Sequence, residues 1–226
     1  EIGVRLVGSE MCIRDSYEVS NNAGQDICDI VNNEGFDFLL VGSGISMSDS
    51  PDDIAATRYR TSFYNRYFKR FKAPESWFYP GALLKDKTKM FIARSNCDVG
   101  VFINRNFVKA TNTLVVISSE EDLFLLDYTR TLLKATHGSV GIVAKMSTTT
   151  PGHDQILKEL WDFVSSTPQT QLLPDKDLTP GLFNSYNFML IGYNTWNDVS
   201  EHRKEALQKM PSTLILNKNK RSSSDN

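Results

Sequence analysis

The sequence contains little of what a zinc site or a disulfide framework requires. Its 226 residues include three cysteines, Cys12, Cys28 and Cys97, and three histidines. The cysteines are too few and too widely spaced to form a disulfide framework or to hold zinc. A reducing compartment such as the cytosol therefore fits the composition best.

Long apolar runs and an excess of one charge are also missing. No stretch approaches the roughly 18 apolar residues that a membrane-spanning helix requires. The net charge is −2, whereas general nucleic-acid binding needs a basic excess that neutralises phosphates. We therefore expect no nucleic-acid partner. The length suffices for one large or two small domains, each with a buried core.

Sequence signatures of catalysis and of nucleotide binding are absent as well. The chain has neither the GxxxxGK[ST] phosphate loop nor the GxGxxG dinucleotide fingerprint. His137, His153 and His202 are predicted at a helix end, in a loop and on a helix surface. None of them has a second metal ligand at a useful spacing. The sequence therefore predicts no catalytic residue, no metal site and no enzymatic activity.

The first residues, 1–16, match no pattern of a helix, a strand or a signal peptide. Their sequence, EIGVRLVGSEMCIRDS, resembles the translated sequencing-adapter tract that contaminates assembled transcripts. We expect these residues to be an artefact without ordered structure. On this interpretation the natural chain begins upstream of Tyr17.

What the sequence does contain is a repeated pattern of short apolar runs. Residues 35–44 (GFDFLLVGSG) and 186–193 (YNFMLIGY) are each followed by a helical pattern and a second run, at 98–103 and 212–216. Short apolar runs separated by helices are typical of parallel strands covered on both faces. The predicted fold class is therefore α/β, with open, mostly parallel sheets and helices on both faces. The repeat predicts two tandem units, the first of them truncated.

The predicted boundaries divide the chain into a first unit at 17–110, a second unit at 111–218 and a disordered tail at 219–226. In the first unit, helices are predicted at 22–33 and 85–95, and strands at 36–41 and 98–103. In the second unit, strands are predicted at 113–118, 139–145, 171–173, 188–192 and 213–216, and helices at 123–134, 154–164 and 200–210. The strand at 171–173 is expected to be a short edge strand.

Three small residues follow the first predicted strand. Gly42, Ser43 and Gly44 lie where open α/β sheets bind their ligands. Glycines after a strand can expose backbone N–H groups to a phosphate, so these residues are the candidate nucleotide-binding site. The alternative is that they only form a tight turn.

An insertion at about 47–84 contains a basic, aromatic segment at 58–72. Its aromatic residues Tyr59, Phe63, Tyr67 and Phe71 recur at every fourth position. The candidate membrane-surface residues are its six cations, Arg58, Arg60, Arg66, Lys69, Arg70 and Lys72. An aromatic stripe beside basic residues is typical of a helix that lies on an anionic membrane. The alternative is an aromatic face that packs on the domain while the cations are solvated.

Three acidic residues, Glu120, Glu121 and Asp122, follow the strand that ends near Ser118. They could form a metal or acid cluster, but carboxylates in a first helical turn also complement the helix dipole. We predict a helix cap. Gly138 is predicted to end the following helix as its C-cap glycine, and Cys97 is predicted to be a small core residue.

Residues 97–105, Cys-Asp-Val-Gly-Val-Phe-Ile-Asn-Arg, carry a resemblance to a known family. The order of elements resembles the universal stress protein fold, and residues 40–43 and 95–101 are similar to the two ends of its terminal unit. The nine-residue motif is similar to one that joins two such units in the cytosolic tails of monovalent cation:proton antiporters of the second family. The long insertion resembles fungal members. The resemblance covers residues 21–218.

This resemblance implies a regulatory tail on the cytosolic face of an intracellular membrane of the Golgi or endosomal type. The attached membrane domain would exchange K⁺ or Na⁺ for protons. One alternative is a free-standing nucleotide-binding stress protein. Another is a dimerisation module that pairs through its last strand, 213–216. Because the insertion interrupts the first glycine loop and no glycine follows Gly192 closely, we expect no cofactor, with ATP as the alternative.

Overall fold

The computed structural model describes residues 2–7, 13–18, 23–42, 87–146, 152–174, 178–202 and 209–219. The strands are β1 (Ile2–Val7), β2 (Ile13–Glu18), β3 (Phe38–Gly42), β4 (Asp98–Ile103), β5 (Asn112–Ile117), β6 (Ser139–Ala144), β7 (Thr170–Pro174), β8 (Phe188–Gly192) and β9 (Ser212–Asn217). The helices are α1 (Ala23–Glu34), α2 (Lys87–Arg94), α3 (Leu125–Thr136), α4 (His153–Ser166), α5 (Pro180–Phe183) and α6 (Tyr193–His202), with a 3-10 turn at Glu120–Asp122. From α1 onward the described strands alternate with helices, except that β5 follows β4 directly, so the predicted α/β class is confirmed.

The chain forms two units, and their boundary lies within β4. Unit 1 consists of Glu1–Val99 with Asn219–Asn226, and unit 2 of Gly100–Lys218. The predicted boundary was at residue 110. The boundary in the structure lies earlier, between Val99 and Gly100, because most of β4 belongs to unit 2, where β4 is the neighbour of β9.

Unit 2 is built on a sheet with the strand order β4-β9-β8-β5-β6-β7. The five strands from β5 to β9 pair in parallel, with Thr113 opposite Phe188 and Phe188 opposite Ser212. Arg105 follows β4 and donates its backbone N–H to Ser212 Oγ at the start of β9 (2.8 Å), so β4 runs antiparallel to β9. The predicted edge strand is confirmed as β7, the last strand in the order.

The position of β9 corrects one expectation. The last strand was a candidate for pairing with a second copy of the chain, but β9 lies between β8 and β4. Both of its hydrogen-bonding edges are therefore occupied, and it offers no free edge to a partner. Dimerisation through another surface stays a prediction.

The core of unit 2 matches the expectation of strands covered on both faces. All five residues of β8 are buried, and so are five of the six in β5. Helices contribute large buried side chains to this core, among them Leu125 of α3, Leu160 of α4 and Trp196 of α6. Continuous apolar runs are what such doubly covered parallel strands require.

In unit 1, β3 is covered on one face only. Leu39 and Val41 are buried, whereas Leu40 between them is 43% exposed. This alternation corrects the expectation that both faces of the first strand are buried. Helices α1 and α2 contact each other, and they contribute the buried residues Val31 and Phe91. A strand with one solvated face shows this period of two.

Residues 1–16 differ from the sequence-based expectation. The strands β1 and β2 pair with each other in antiparallel register, and β1 also pairs with β3. Residues 2–7 and 13–18 therefore form strands where no ordered structure was expected. Its apolar residues Ile2, Val4 and Leu6 alternate with other residues, which is the period of a strand. The origin of these residues in an adapter sequence stays a prediction.

Three local expectations are also corrected. The C-cap of α3 is His137, which adopts the left-handed conformation with φ of 51°. Gly138 is needed for a different reason, because a Cβ at this position would overlap the backbone oxygen of Thr111. His153 is the first residue of α4 rather than part of a loop, and α6 begins at Tyr193 instead of residue 200.

Candidate functional site

The candidate site lies in unit 2, at the carboxyl ends of β5 and β8. These neighbouring strands are parallel, and the chain leaves them in opposite directions along the sheet. From β5 it passes through α3 to β6, and from β8 it passes through α6 to β9. Such a switch point opens a crevice at the carboxyl edge of an α/β sheet, where ligands commonly bind.

A buried carboxylate, Asp122, lies where such a crevice would open. Its side chain is 2% exposed. Asp122 Oδ2 accepts hydrogen bonds from Ser118 N (2.9 Å), Ser119 N (3.2 Å) and Thr195 Oγ1 (2.6 Å), and a weaker one from Ser118 Oγ (3.2 Å). Buried carboxylates are stable only when donors of this kind compensate for lost solvation. Asp122 therefore connects the end of β5 to the first turn of α6.

Gly192, the last residue of β8, lies against the same carboxylate. A Cβ at this position would overlap Asp122 Oδ1. The φ of Gly192 is not in the left-handed region, so close approach is the reason for glycine here. The glycine in the run Ile191-Gly192-Tyr193 makes room for a side chain of the protein itself.

The rim of the crevice is acidic. Glu120 and Glu121 are exposed beside Asp122, and Asn194 Nδ2 donates to Glu121 Oε2 (2.8 Å). Lys145 N donates to Ile117 O at the end of β5 (2.8 Å), and Lys145 Nζ forms an ion pair with Asp198 Oδ2 (3.2 Å). Negative charge that exceeds positive charge at a rim disfavours phosphate groups, because like charges repel each other.

The structure places one of the three candidate nucleotide-binding residues. Gly42 ends β3 in unit 1 and is exposed. Its φ is not left-handed, and no atom lies within 4 Å of an added Cβ. Neither a turn conformation nor a close contact therefore requires glycine at this position. Ser43 and Gly44 lie outside the described residues.

The insertion also lies outside the described residues. It contains all six candidate membrane-surface residues, Arg58, Arg60, Arg66, Lys69, Arg70 and Lys72. Both interpretations of the insertion, a membrane-surface helix and a packed aromatic face, stay predictions.

The two cysteines that the structure describes, Cys28 and Cys97, have the properties of core residues, as predicted for Cys97. Cys97 is 5% exposed and Cys28 is 1% exposed. Burial, with a smaller effect of the Asp98 charge, raises the pKa of the Cys97 thiol to about 11. Burial also raises the pKa of Cys28, and Ser95 Oγ contacts its sulfur at 3.7 Å. Both thiols are therefore poorer nucleophiles than an exposed cysteine.

The sequence predicted the acidic turn at 120–122, but it did not predict that Asp122 accepts a hydrogen bond from Thr195. The predicted cap is present in part, since Ser119 N donates to Asp122 Oδ2. The contact with Thr195 joins positions 73 residues apart, and no local pattern indicates it. The residues that the structure describes contain no group of three His, Cys, Asp or Glu side chains arranged to hold a metal ion.

Comparisons with known proteins add a likeness in architecture. No family model and no curated protein matches the chain. A solved structure of a universal stress protein from Archaeoglobus fulgidus is similar, with 12% sequence identity and a TM-score of 0.48. The likeness covers 87% of this chain and 66% of that one. Within the described part of the chain, no helix is long and apolar enough to cross a membrane.

Proposed function

We propose that this chain is the cytosolic regulatory tail of a monovalent cation:proton antiporter. A membrane domain joined to it would exchange K⁺ or Na⁺ for protons across an intracellular membrane of the Golgi or endosomal type. The tail itself would couple a cytosolic signal to that exchange. The transport residues of such a protein lie in its membrane domain, and none is assigned in this chain.

The observation that carries the proposal is the motif at 97–105, which occupies β4. Its alternate residues Val99, Val101 and Ile103 are buried. Its polar ends are bonded to both ends of the segment that contains β9. Asp98 Oδ1 accepts from Asn219 N (2.8 Å), and Arg105 N donates to Ser212 Oγ (2.8 Å). A motif in this position supports a role in joining two α/β units.

The sequence upstream of Tyr17, recovered by sequencing the 5′ end of the transcript from source RNA, tests this proposal. We expect the open reading frame to continue into many apolar stretches of about 20 residues, each long enough to span a bilayer. The adapter interpretation of residues 1–16 is checked by the same measurement. A start codon shortly upstream of Tyr17 would contradict the antiporter proposal.

The second candidate is a free-standing nucleotide-binding protein of the universal stress type. The position of the crevice at a switch point favours it. The carboxylate of Asp122 within that crevice and the acidic rim oppose it. In addition, α6 begins directly after β8, so no loop between them can wrap around a phosphate.

We expect ATP at millimolar concentration to leave the melting temperature of the purified chain unchanged. A ligand that binds the folded state raises the melting temperature by mass action, and a hundredfold excess over Kd contributes about 2.7 kcal/mol. The measurement is thermal unfolding with and without ATP, followed by circular dichroism. A rise that the variant Gly44→Trp abolishes would instead support nucleotide binding after β3.

A further inference from the structure

One edge of unit 2 is strongly basic. The parallel strands β5 to β9 all begin at this edge, and β4 ends at it, next to the start of β9. We define the amino edge as the residues that flank these strand ends, 104–111, 134–138, 167–169, 184–187 and 209–211. These segments contain four cations, Arg105, Lys109, Lys134 and Lys209, and no aspartate or glutamate.

The opposite edge has the reverse balance. Among the described residues that flank the carboxyl ends of these strands, the acids are Glu120, Glu121, Asp122, Asp154 and Asp198, and the cations are Lys145 and Lys218. Helix dipoles explain part of this separation, because acids favour helix starts and cations favour helix ends. They account for Lys134 in the last turn of α3. Lys109 lies in the described loop between β4 and β5, which contains no helix, so the dipole does not explain it.

An exposed apolar residue lies at the same edge. Val108 is 93% exposed, and Lys109 beside it is also exposed. Its neighbour Phe107 packs its ring against Phe188 and Phe102, with centroids 5.2 and 5.6 Å apart. The loop is therefore anchored by Phe107 while Val108 and Lys109 project from the fold.

We propose that the amino edge of unit 2 docks on an anionic phospholipid surface. Two observations select this partner: the exposed lysines Lys109, Lys134 and Lys209 in described segments that contain no aspartate or glutamate, and an apolar side chain that water surrounds almost completely. A bilayer surface offers negative headgroups and, just beneath them, an apolar boundary. Docking would bring the acidic edge of unit 2, with its crevice, to face the solution.

This surface is distinct from the basic insertion at 58–72, and the proposal does not depend on the antiporter function. The experiment is sedimentation of the full chain with vesicles of phosphatidylcholine alone, or of phosphatidylcholine mixed with phosphatidylserine. We expect binding only to the vesicles that contain phosphatidylserine. Binding should weaken as salt is added, because surface charges are screened.

A triple variant, Lys109→Gln, Lys134→Gln and Lys209→Gln, tests the surface itself. Each lysine near an anionic membrane contributes about fivefold to the partition coefficient, so we expect a loss on the order of a hundredfold. The matched control is Lys89→Gln, Lys158→Gln and Lys218→Gln, which changes the net charge equally at other exposed lysines. We expect this control to retain most of its vesicle binding and to lose only the small part that long-range charge contributes.

The apolar contact has its own variant, Val108→Ser, which should weaken binding up to about tenfold by removing apolar area from the contact. Since all these side chains are exposed, the circular dichroism spectrum should not change. Equal losses in the two triple variants would assign binding to net charge or to the insertion and overturn the proposal. Binding to single-stranded RNA without binding to vesicles would also overturn it, in favour of a nucleic-acid partner.

Discussion

Trp196→Ala should lower the free energy of unfolding by about 3–5 kcal/mol, as replacement of a fully buried aromatic residue usually does. Trp196 is 1% exposed and is the largest fully buried side chain among the described residues. Trp196 lies on α6, and Gly192, four residues earlier, ends β8, so the loss of the Trp196 side chain would leave a cavity in the core of unit 2. In a chain of this size the melting temperature should fall by about 10 °C.

A second tryptophan provides the matched control. Trp161 on α4 is 55% exposed, so Trp161→Ala should change the unfolding free energy by no more than about 0.5 kcal/mol. Urea unfolding should be followed by far-ultraviolet circular dichroism, because both substitutions remove a fluorophore. Similar losses of unfolding free energy in the two variants would contradict the burial of Trp196 between α6 and the core of unit 2.

Asp122→Ala should cost about 3 kcal/mol of unfolding free energy, the second largest effect that we expect. The substitution removes the acceptor of Ser118 N, Ser119 N and Thr195 Oγ1. Donors that lose a charged acceptor in a buried site cost about 1–3 kcal/mol each, partly offset where water enters. The measurement is again urea unfolding. Asp122→Asn keeps one acceptor oxygen, so its unfolding free energy should lie between that of the unchanged protein and that of Asp122→Ala.

The control for this variant is the preceding carboxylate. Glu121 is exposed and accepts from Asn194 Nδ2, so Glu121→Ala should cost less than about 1 kcal/mol. If Glu121→Ala loses as much unfolding free energy as Asp122→Ala, the stabilisation comes from negative charge in this turn and not from the buried hydrogen bonds of Asp122.

Gly192→Ala adds a test of geometry through a double-mutant cycle. Alone, it should destabilise the protein by about 1–3 kcal/mol, because its Cβ overlaps the Asp122 carboxylate. In the Asp122→Ala background the overlap is removed, and the same substitution should cost much less. Additive effects of the two substitutions would contradict direct contact between these residues.

If the chain is a regulatory tail, the filled crevice has a consequence for how it would sense a signal. The Asp122 carboxylate already accepts hydrogen bonds from Ser118, Ser119 and Thr195, so these donors do not need a ligand. A signal would then act through exposed surfaces such as the amino edge, where Val108, Lys109 and Lys134 face the solvent. The vesicle and ATP experiments address these two routes separately.

Much of unit 2 could be predicted because its signals are local. The apolar run at 188–192 is a strand buried at all five positions, and the alternation of strands and helices predicts the parallel sheet around it. Unit 1 was harder, since the run at 36–41 gives the same local signal although Leu40 is exposed. A short apolar run does not show how many of its faces are covered.

By itself, the sequence determined the α/β class, the order of the strands and longer helices in unit 2 and the burial of Cys97, because these depend on periodicity and composition over short stretches. The tertiary structure decided the rest. It placed the unit boundary within β4, put β9 between two strands and joined Asp122 to Thr195 across 73 residues. Each of these depends on which distant segments meet. That choice is made by packing of the whole chain, and no short stretch of sequence encodes it.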